Sequence, residues 1–385
     1  MYTGNAALEF CFPRDGDVMV GEADGSVCAE GLRIRVLVSA EEDAKIAVCG
    51  IPAQKNREGL YEAEVVLRDV CNRLEAENTD TGEKKSVTVY VFNPAYRTYR
   101  FTVDDCIRSF RNLHAHRNVY ASLFEDPYLG IFEQAHRLYG SKVQINVFYG
   151  TDDGSFDLSM MTDRYREEFS ANADWLSFSF HAMREHPDKP YKNTDGETVR
   201  RDFRRMMSEL RRVVGDAARA DMTTLHWGAL NVEGARALRA EGCRMLCGYF
   251  TLCRGEPYYA DCYEPGEPIV AYYLDRERTA HLEQRCFWVD TQEGILFSRL
   301  HMVLNAGELT SDRVAPYLDG LLKRPQESGC IQMVIHEQHF YDDYVAYEPD
   351  YRERILTMAH WMQVHGYRPT NFSEIIEAYH PIKRA

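Results

Sequence analysis

At 385 residues the chain is longer than one compact hydrophobic core commonly supports, which predicts two domains. A formal net charge of −15, from 60 acidic against 45 basic side chains, argues against a nucleic-acid backbone as partner. No apolar run approaches the roughly eighteen residues that a membrane span needs, and residues 1–12 lack the basic and apolar regions of a signal peptide.

Residues 1–98 read as β structure. Alternating apolar runs at 32–38, 45–49, 61–67, 73–77 and 86–92 are separated by turn-rich pieces at 15–17, 50–59 and 78–83. Short strands at this spacing predict a small sandwich of the immunoglobulin type, and the segment 46–78 resembles the Ig-like modules that accompany many carbohydrate-active enzymes. From about residue 99 the pattern changes to strands alternating with helices. Strands are expected at 99–103, 142–148, 175–180, 223–225, 244–250 and 331–335. Helices are expected at 128–139, 198–214, 232–241, 311–322 and 350–365. That alternation predicts an α/β domain over 99–385 with parallel strands closing into a barrel, interrupted by an insertion near 251–300. The basic run 200–212 alternates with Phe203, Met206, Met207 and Leu210, and is read as the solvated face of a helix.

The 11 cysteines are odd in number and irregularly spaced. Among Cys243, Cys247, Cys253 and Cys262 only the first two match a zinc-ligand spacing, so buried free thiols are the preferred reading. Reduced thiols point to the cytoplasm.

The candidate chemical groups fall at strand ends. Asp104 and Asp105 follow the strand at 99–103, His181 follows 175–180, His226 follows 223–225, and His336 and Glu337 follow 331–335. In an α/β barrel those ends share one rim, so residues distant in sequence can converge there.

The run Phe101-Thr102-Val103-Asp104-Asp105 resembles the Thr-Phe-Asp-Asp motif of the polysaccharide deacetylase (NodB-like) family. Phe180-His181 through His186-Pro187 resembles that family's His-x-x-x-His-Pro motif, and Ile335-His336 stands where the family has a late Leu-His. The resemblance spans roughly residues 99–385. It implies a NodB-like distorted (β/α) barrel that removes an acyl (acetyl) group from a carbohydrate with the help of a divalent metal, zinc being the expected ion. Asp105 and His181 would hold the metal, Asp104 would be the general base and His336 the general acid.

Two features depart from the family pattern. The family spaces its histidines four apart, about 40° around a helix, whereas His181 and His186 are five apart, or about 140°. The third ligand is therefore left open between His186 and His226. The family's arginine-containing third motif is replaced by His226-Trp227-Gly228. Substrate contacts are expected from Trp227, Glu337, Tyr341 and Tyr344, aromatic and acidic groups that suit sugar faces and hydroxyls. The expected partner is a carbohydrate or acylated sugar, and the oligomeric state, a homo-oligomer included, is left open. Two other readings stand beside this one. A metal-free glycoside hydrolase would pair Asp104 or Asp105 with Glu337, and a non-catalytic carbohydrate-binding protein would keep a decayed deacetylase fold.

Overall fold

The computed structural model describes residues 7–255, 262–305, 309–373 and 375. They form two compact units: one of the chain up to Tyr96 together with Phe287–Gly294, the other of Arg97–Cys286 and Ile295–Ser373.

In the first unit, two five-stranded sheets share one core. One contains Gly31–Ser39 and Tyr61–Leu67, antiparallel, with Leu32 opposite Leu67 and Val38 opposite Tyr61. The other contains Cys71–Asn78 and Lys84–Val91, also antiparallel, with Leu74 opposite Val87. Alternation turns Leu32, Ile34, Val36 and Val38 inward from one sheet, where they meet Leu74, Ala76 and Val89 from the other. Phe287–Gly294 joins this unit through Gly16, whose carbonyl accepts from the Val289 N–H at 2.8 Å. Gly16 has φ +83, and a Cβ there would lie 1.9 Å from the Val289 carbonyl oxygen, so only glycine admits this approach.

The second unit is mixed α/β with parallel strands. Its larger sheet runs Leu176–Ala182, Val143–Phe148, Thr98–Cys106, Cys330–His336 and Met302–Val303, with Arg368–Pro369 added beside Thr98–Cys106. The central strands are buried along their whole length, and their polar residues, among them Arg100, Thr102, Gln144 and Asn146, are buried with them. A second set of parallel strands runs Met222–Thr223, Met245–Gly248 and Ile295–Arg299. Among the described residues these strands belong to separate sheets and no closed ring is formed. Backbone hydrogen bonds nevertheless bridge from each sheet toward the other. Phe178 donates to Ala218 O and Ala220 to Phe178 O at one side; Leu300 donates to Gly248 O and His301 to Gln332 O at the other.

Helices cover the sheets. Gly196–Val213 starts at Asp195, whose side chain accepts from the Thr198 N–H at 2.9 Å. It buries Val199, Phe203, Met206, Leu210 and Val213 at three- and four-residue spacing. Burial of such side chains contributes about 1.5–3 kcal/mol each. Its arginines stay outside, Arg200 and Arg204 both pairing with Glu241.

Within the stretch 251–300, expected to be an insertion, Ile295–Arg299 is instead a strand paired in parallel with Met245–Gly248. A five-residue strand without an amphipathic helix before it carries little periodic signal, which is why the sequence pattern hides it. Cys243, Cys247 and Cys253 are buried free thiols and Cys262 is half-buried, also free.

Candidate metal centre

Strand Thr98–Cys106 carries both aspartates, and its regular alternation breaks there. The pairing with Val143–Phe148 shifts register between Val103 and Cys106, and Asp105 sits at φ +60. A left-handed aspartate in a bulge is a strained arrangement of the sort that re-aims a side chain. A regular extended strand would send the two carboxylates to opposite faces; here both line one cavity of about 180 Å³.

His181 lies near the end of Leu176–Ala182, two strands from Thr98–Cys106 on the side opposite Cys330–His336. Its Nδ1 stands 2.6 Å from the Thr224 carbonyl, which can only accept, so Nδ1 carries a proton and Nε2 faces the cavity. His226 follows Met222–Thr223 in a short turn. Asp105 Oδ1 lies 2.9 Å from His181 Nε2 and 3.2 Å from His226 Nδ1, and the two nitrogens are 3.2 Å apart. Three lone-pair donors converge in this buried triad. A tetrahedral zinc with bonds of about 2.0–2.1 Å sets its donors about 3.3 Å apart, so the observed spacing fits such an ion to within a few tenths of an ångström. Without an ion the same geometry favours a shared proton. Burial raises the Asp105 carboxyl, but hydrogen bonds from His181 and His226 overcome it and hold Asp105 well below the usual carboxylate range. Burial likewise lowers His181, while its bond to Asp105 wins and raises it.

Around this triad stand groups that orient it. Gln338 Nε2 donates to the other Asp105 oxygen at 2.7 Å. Asn146 Nδ2 donates to Asp104 Oδ1 at 2.6 Å. Burial is the main cause that pushes the Asp104 carboxyl up to about 6. His336 ends Cys330–His336 directly opposite Asp104 in the parallel register. Its Nδ1 donates to Asn305 Oδ1 at 2.9 Å, so Nε2 is the nitrogen available for chemistry. Burial holds His336 down at about 4, neutral at physiological pH.

The structure thus brings together Asp104, Asp105, His181, His226 and His336, with Trp227 and Tyr344 on the cavity wall. His186 is not among them. Its side chain is 70% exposed and its Nδ1 lies 2.6 Å from Asp152 Oδ2, so of the two candidate third ligands only His226 faces the triad. The segment after Ala182 leaves the strand as irregular chain rather than helix, which removes the helical spacing on which the His186 assignment depended.

Glu337 is also corrected. Its fully buried carboxylate accepts the N–H groups of Ile107, Arg108 and Ser109, each at 2.7 Å, and so caps the helix Arg108–Ala115 instead of facing substrate. Tyr341 lies under the Arg108 guanidinium at 4.1 Å and packs beside Tyr128, outside the cavity lining. Asn146, Asn305, Gln338 and the Thr224 carbonyl went unread in the sequence. The one signal for the first three was an amide lying in, or within two residues of, an otherwise apolar strand segment.

No family model matches the chain, and no curated protein does. Among solved structures, the chain is similar to a candidate alpha-galactosidase from Bacteroides fragilis. The identity is 12% and the TM-score 0.21, over 66% of this chain and 60% of that one. The match therefore spans less than two thirds of that protein's length. No described helix is long and apolar enough to cross a membrane.

Proposed function

We propose that the second unit is a metal-dependent hydrolase that removes an acyl group from a carbohydrate. The observation that carries this reading is the convergence of Asp105 Oδ1, His181 Nε2 and His226 Nδ1 to 2.9–3.2 Å beside Asp104 and His336. Asp105, His181 and His226 would hold a divalent ion, zinc being the one whose spacing they match. When bound, that ion supplies Lewis acidity to the acyl carbonyl.

The chain's own groups then divide the proton work. Asp104 Oδ1 is occupied by Asn146, which leaves Oδ2 to take the proton of an attacking water. A carboxyl near 6 is ionised at neutral pH yet basic enough for that task. His336 passes a proton from Nε2 to the leaving nitrogen or oxygen. Because it is neutral at rest, His336 must first gain that proton, and the one Asp104 takes from the attacking water balances it. We further read the parallel strands as a distorted barrel of the NodB-like kind, which the backbone bonds at Phe178 and Gly248 support. Trp227 and Tyr344 would receive sugar faces. The capping role of Glu337 removes the pairing of Asp104 or Asp105 with Glu337 on which the metal-free glycosidase reading was built.

The test is elemental analysis of protein purified without chelator, alongside His181→Ala, followed by acetate release from acetylated amino sugars. Near-stoichiometric divalent metal, lost in the variant, with chelator-sensitive acetate release is the expected outcome. Protein that binds no divalent ion on reconstitution overturns the reading.

A further inference from the structure

This inference rests on the hydrolase reading and concerns what the substrate carries beside its acyl group. Four carboxylates line the cavity, those of Asp104, Asp105, Glu185 and Asp188, and no lysine or arginine does. The two cations adjacent in sequence are engaged elsewhere. Arg184 donates to the Asp152 carbonyl at 3.2 Å, and Lys189 donates to the Cys262 carbonyl at 2.8 Å while sitting 3.9 Å over the Tyr263 ring. A divalent ion at the triad compensates two of the four negative charges and leaves two.

Glu185 is the one of these carboxylates that is half-buried and unclaimed. Among the described residues no hydrogen bond or salt bridge reaches it. Its ligand-type neighbours Asp152 and His186, which are bonded to each other at 2.6 Å, lie within 4.8 Å of it and form with it a second, largely exposed three-donor group that a cation could also occupy. Asp104 and Asp105, by contrast, are held by Asn146, Gln338 and the two histidines. A carboxylate removed from water without a counter-charge is unfavourable, and a ligand cation relieves it through a charge-assisted hydrogen bond. Trp227, on the same wall, has the Lys189 ammonium 5.8 Å from its ring centroid and lends the cavity an aromatic surface for a sugar.

We propose that Glu185 is a specificity-determining residue that selects acylated substrates bearing a protonated amine near the scissile acyl group. A partially deacylated amino sugar is the class that fits. Substrates with a carboxylate or phosphate at that position are rejected by the same charge.

Two measurements test this. In the first, zinc-loaded protein is titrated calorimetrically with glucosamine and with N-acetylglucosamine. Glu185→Gln is expected to weaken glucosamine binding about tenfold and N-acetylglucosamine binding much less. In the second, kcat/KM is compared for an N-acetylglucosamine disaccharide with both amines acetylated and for the same disaccharide with one amine free. The wild-type preference for the free amine is expected to be about tenfold and to fall toward one in Glu185→Gln. Should that variant fold poorly, Glu185→Asp retains the charge at shorter reach and is expected to keep part of the preference. Equal ratios in wild type and variant, or a preference for a carboxylate-bearing analogue, overturn the proposal. If neither disaccharide is hydrolysed, it is the hydrolase reading that fails, and the calorimetric comparison alone decides the role of Glu185.

Discussion

Asn146 donates from one amide nitrogen to Asp104 Oδ1 at 2.6 Å while its own carbonyl accepts from Gln144 Nε2 at 2.8 Å. Gln144 in turn accepts from Arg100 Nη1 at 2.6 Å. All four residues are buried, so a guanidinium beneath the cavity is tied to Asp104 through two side-chain amides. Arg100 makes further contacts with neutral groups: Gln332 Oε1, the Cys247 and Met222 sulfurs, and the Phe372 ring at 4.9 Å. Chained hydrogen bonds of this kind polarise one another and fix each member's orientation.

The amide at 146 is therefore expected to position Asp104 without touching the metal ligands. Asn146→Leu keeps the volume and removes both donors. Turnover should fall about ten- to a hundredfold, in the range typical for loss of a positioned acid–base group. Bound metal per chain should stay near the wild-type ratio. Elemental analysis beside steady-state kinetics on the same preparation checks this; metal lost in parallel with activity would refute it.

Asp104 links activity and stability with opposite signs. Its carboxyl is pushed up to about 6 by burial, from an unfolded value of 3.8. The folded protein thus holds this proton more tightly than the unfolded chain, and stability falls as pH rises across that window. Above about pH 6 the ionised Asp104 costs at most about 3 kcal/mol. Asp104→Asn is therefore expected to stabilise the metal-free protein at pH 7 by one to a few kcal/mol, an advantage that vanishes below about pH 4. Urea denaturation at the two pH values measures it. The same ionisation predicts hydrolysis that declines as pH falls through about 6, with the metal's charge drawing that limb lower.

Metal content should separate the histidines. His181→Ala and His226→Ala each remove one of three converging donors and are expected to weaken zinc binding by a hundredfold or more, whereas His186→Ala, at an exposed site paired with Asp152, should leave it within about twofold. Chelator competition assays give the ratios. Zinc affinity lost with His186 and kept without His226 would reverse the ligand assignment.

The strand ends were legible because largely apolar strands such as Leu176–Ala182 and Cys330–His336 reach a histidine, His181 or His336, at their ends, and parallel topology gathers those ends. The choice between His186 and His226 was not legible, since it depends on whether the chain after Ala182 coils or leaves the strand, and that depends on packing rather than on spacing. The Asp105 bulge was hidden too, because nothing in Val-Asp-Asp-Cys marks a left-handed residue. Asn146, Asn305 and Gln338 were missed for a different reason. Each serves a partner at least 31 residues away in sequence, and an amide near an apolar strand announces a buried hydrogen bond without naming its partner.

Glu337 offers a test of structure against chemistry at one position next to His336. Three consecutive backbone N–H groups converge on its carboxylate at 2.7 Å, two on Oε2 and one on Oε1, at the start of Arg108–Ala115. Burial pushes the carboxyl up while these donors pull it down, but either protonation state keeps oxygen acceptors in place. Glu337→Met matches the length and offers no comparable acceptor, stranding N–H groups that a buried helix start cannot hand to water. Each such loss costs about 1–3 kcal/mol, so a destabilisation of roughly 3 kcal/mol or more is expected. The triad lies on other residues, and folded Glu337→Met protein should still bind zinc. Denaturant melts with metal analysis of the folded fraction distinguish the cases. A variant as stable as wild type but unable to bind or hydrolyse sugar would return Glu337 to the substrate side of the cavity and reopen the two-carboxylate glycosidase reading.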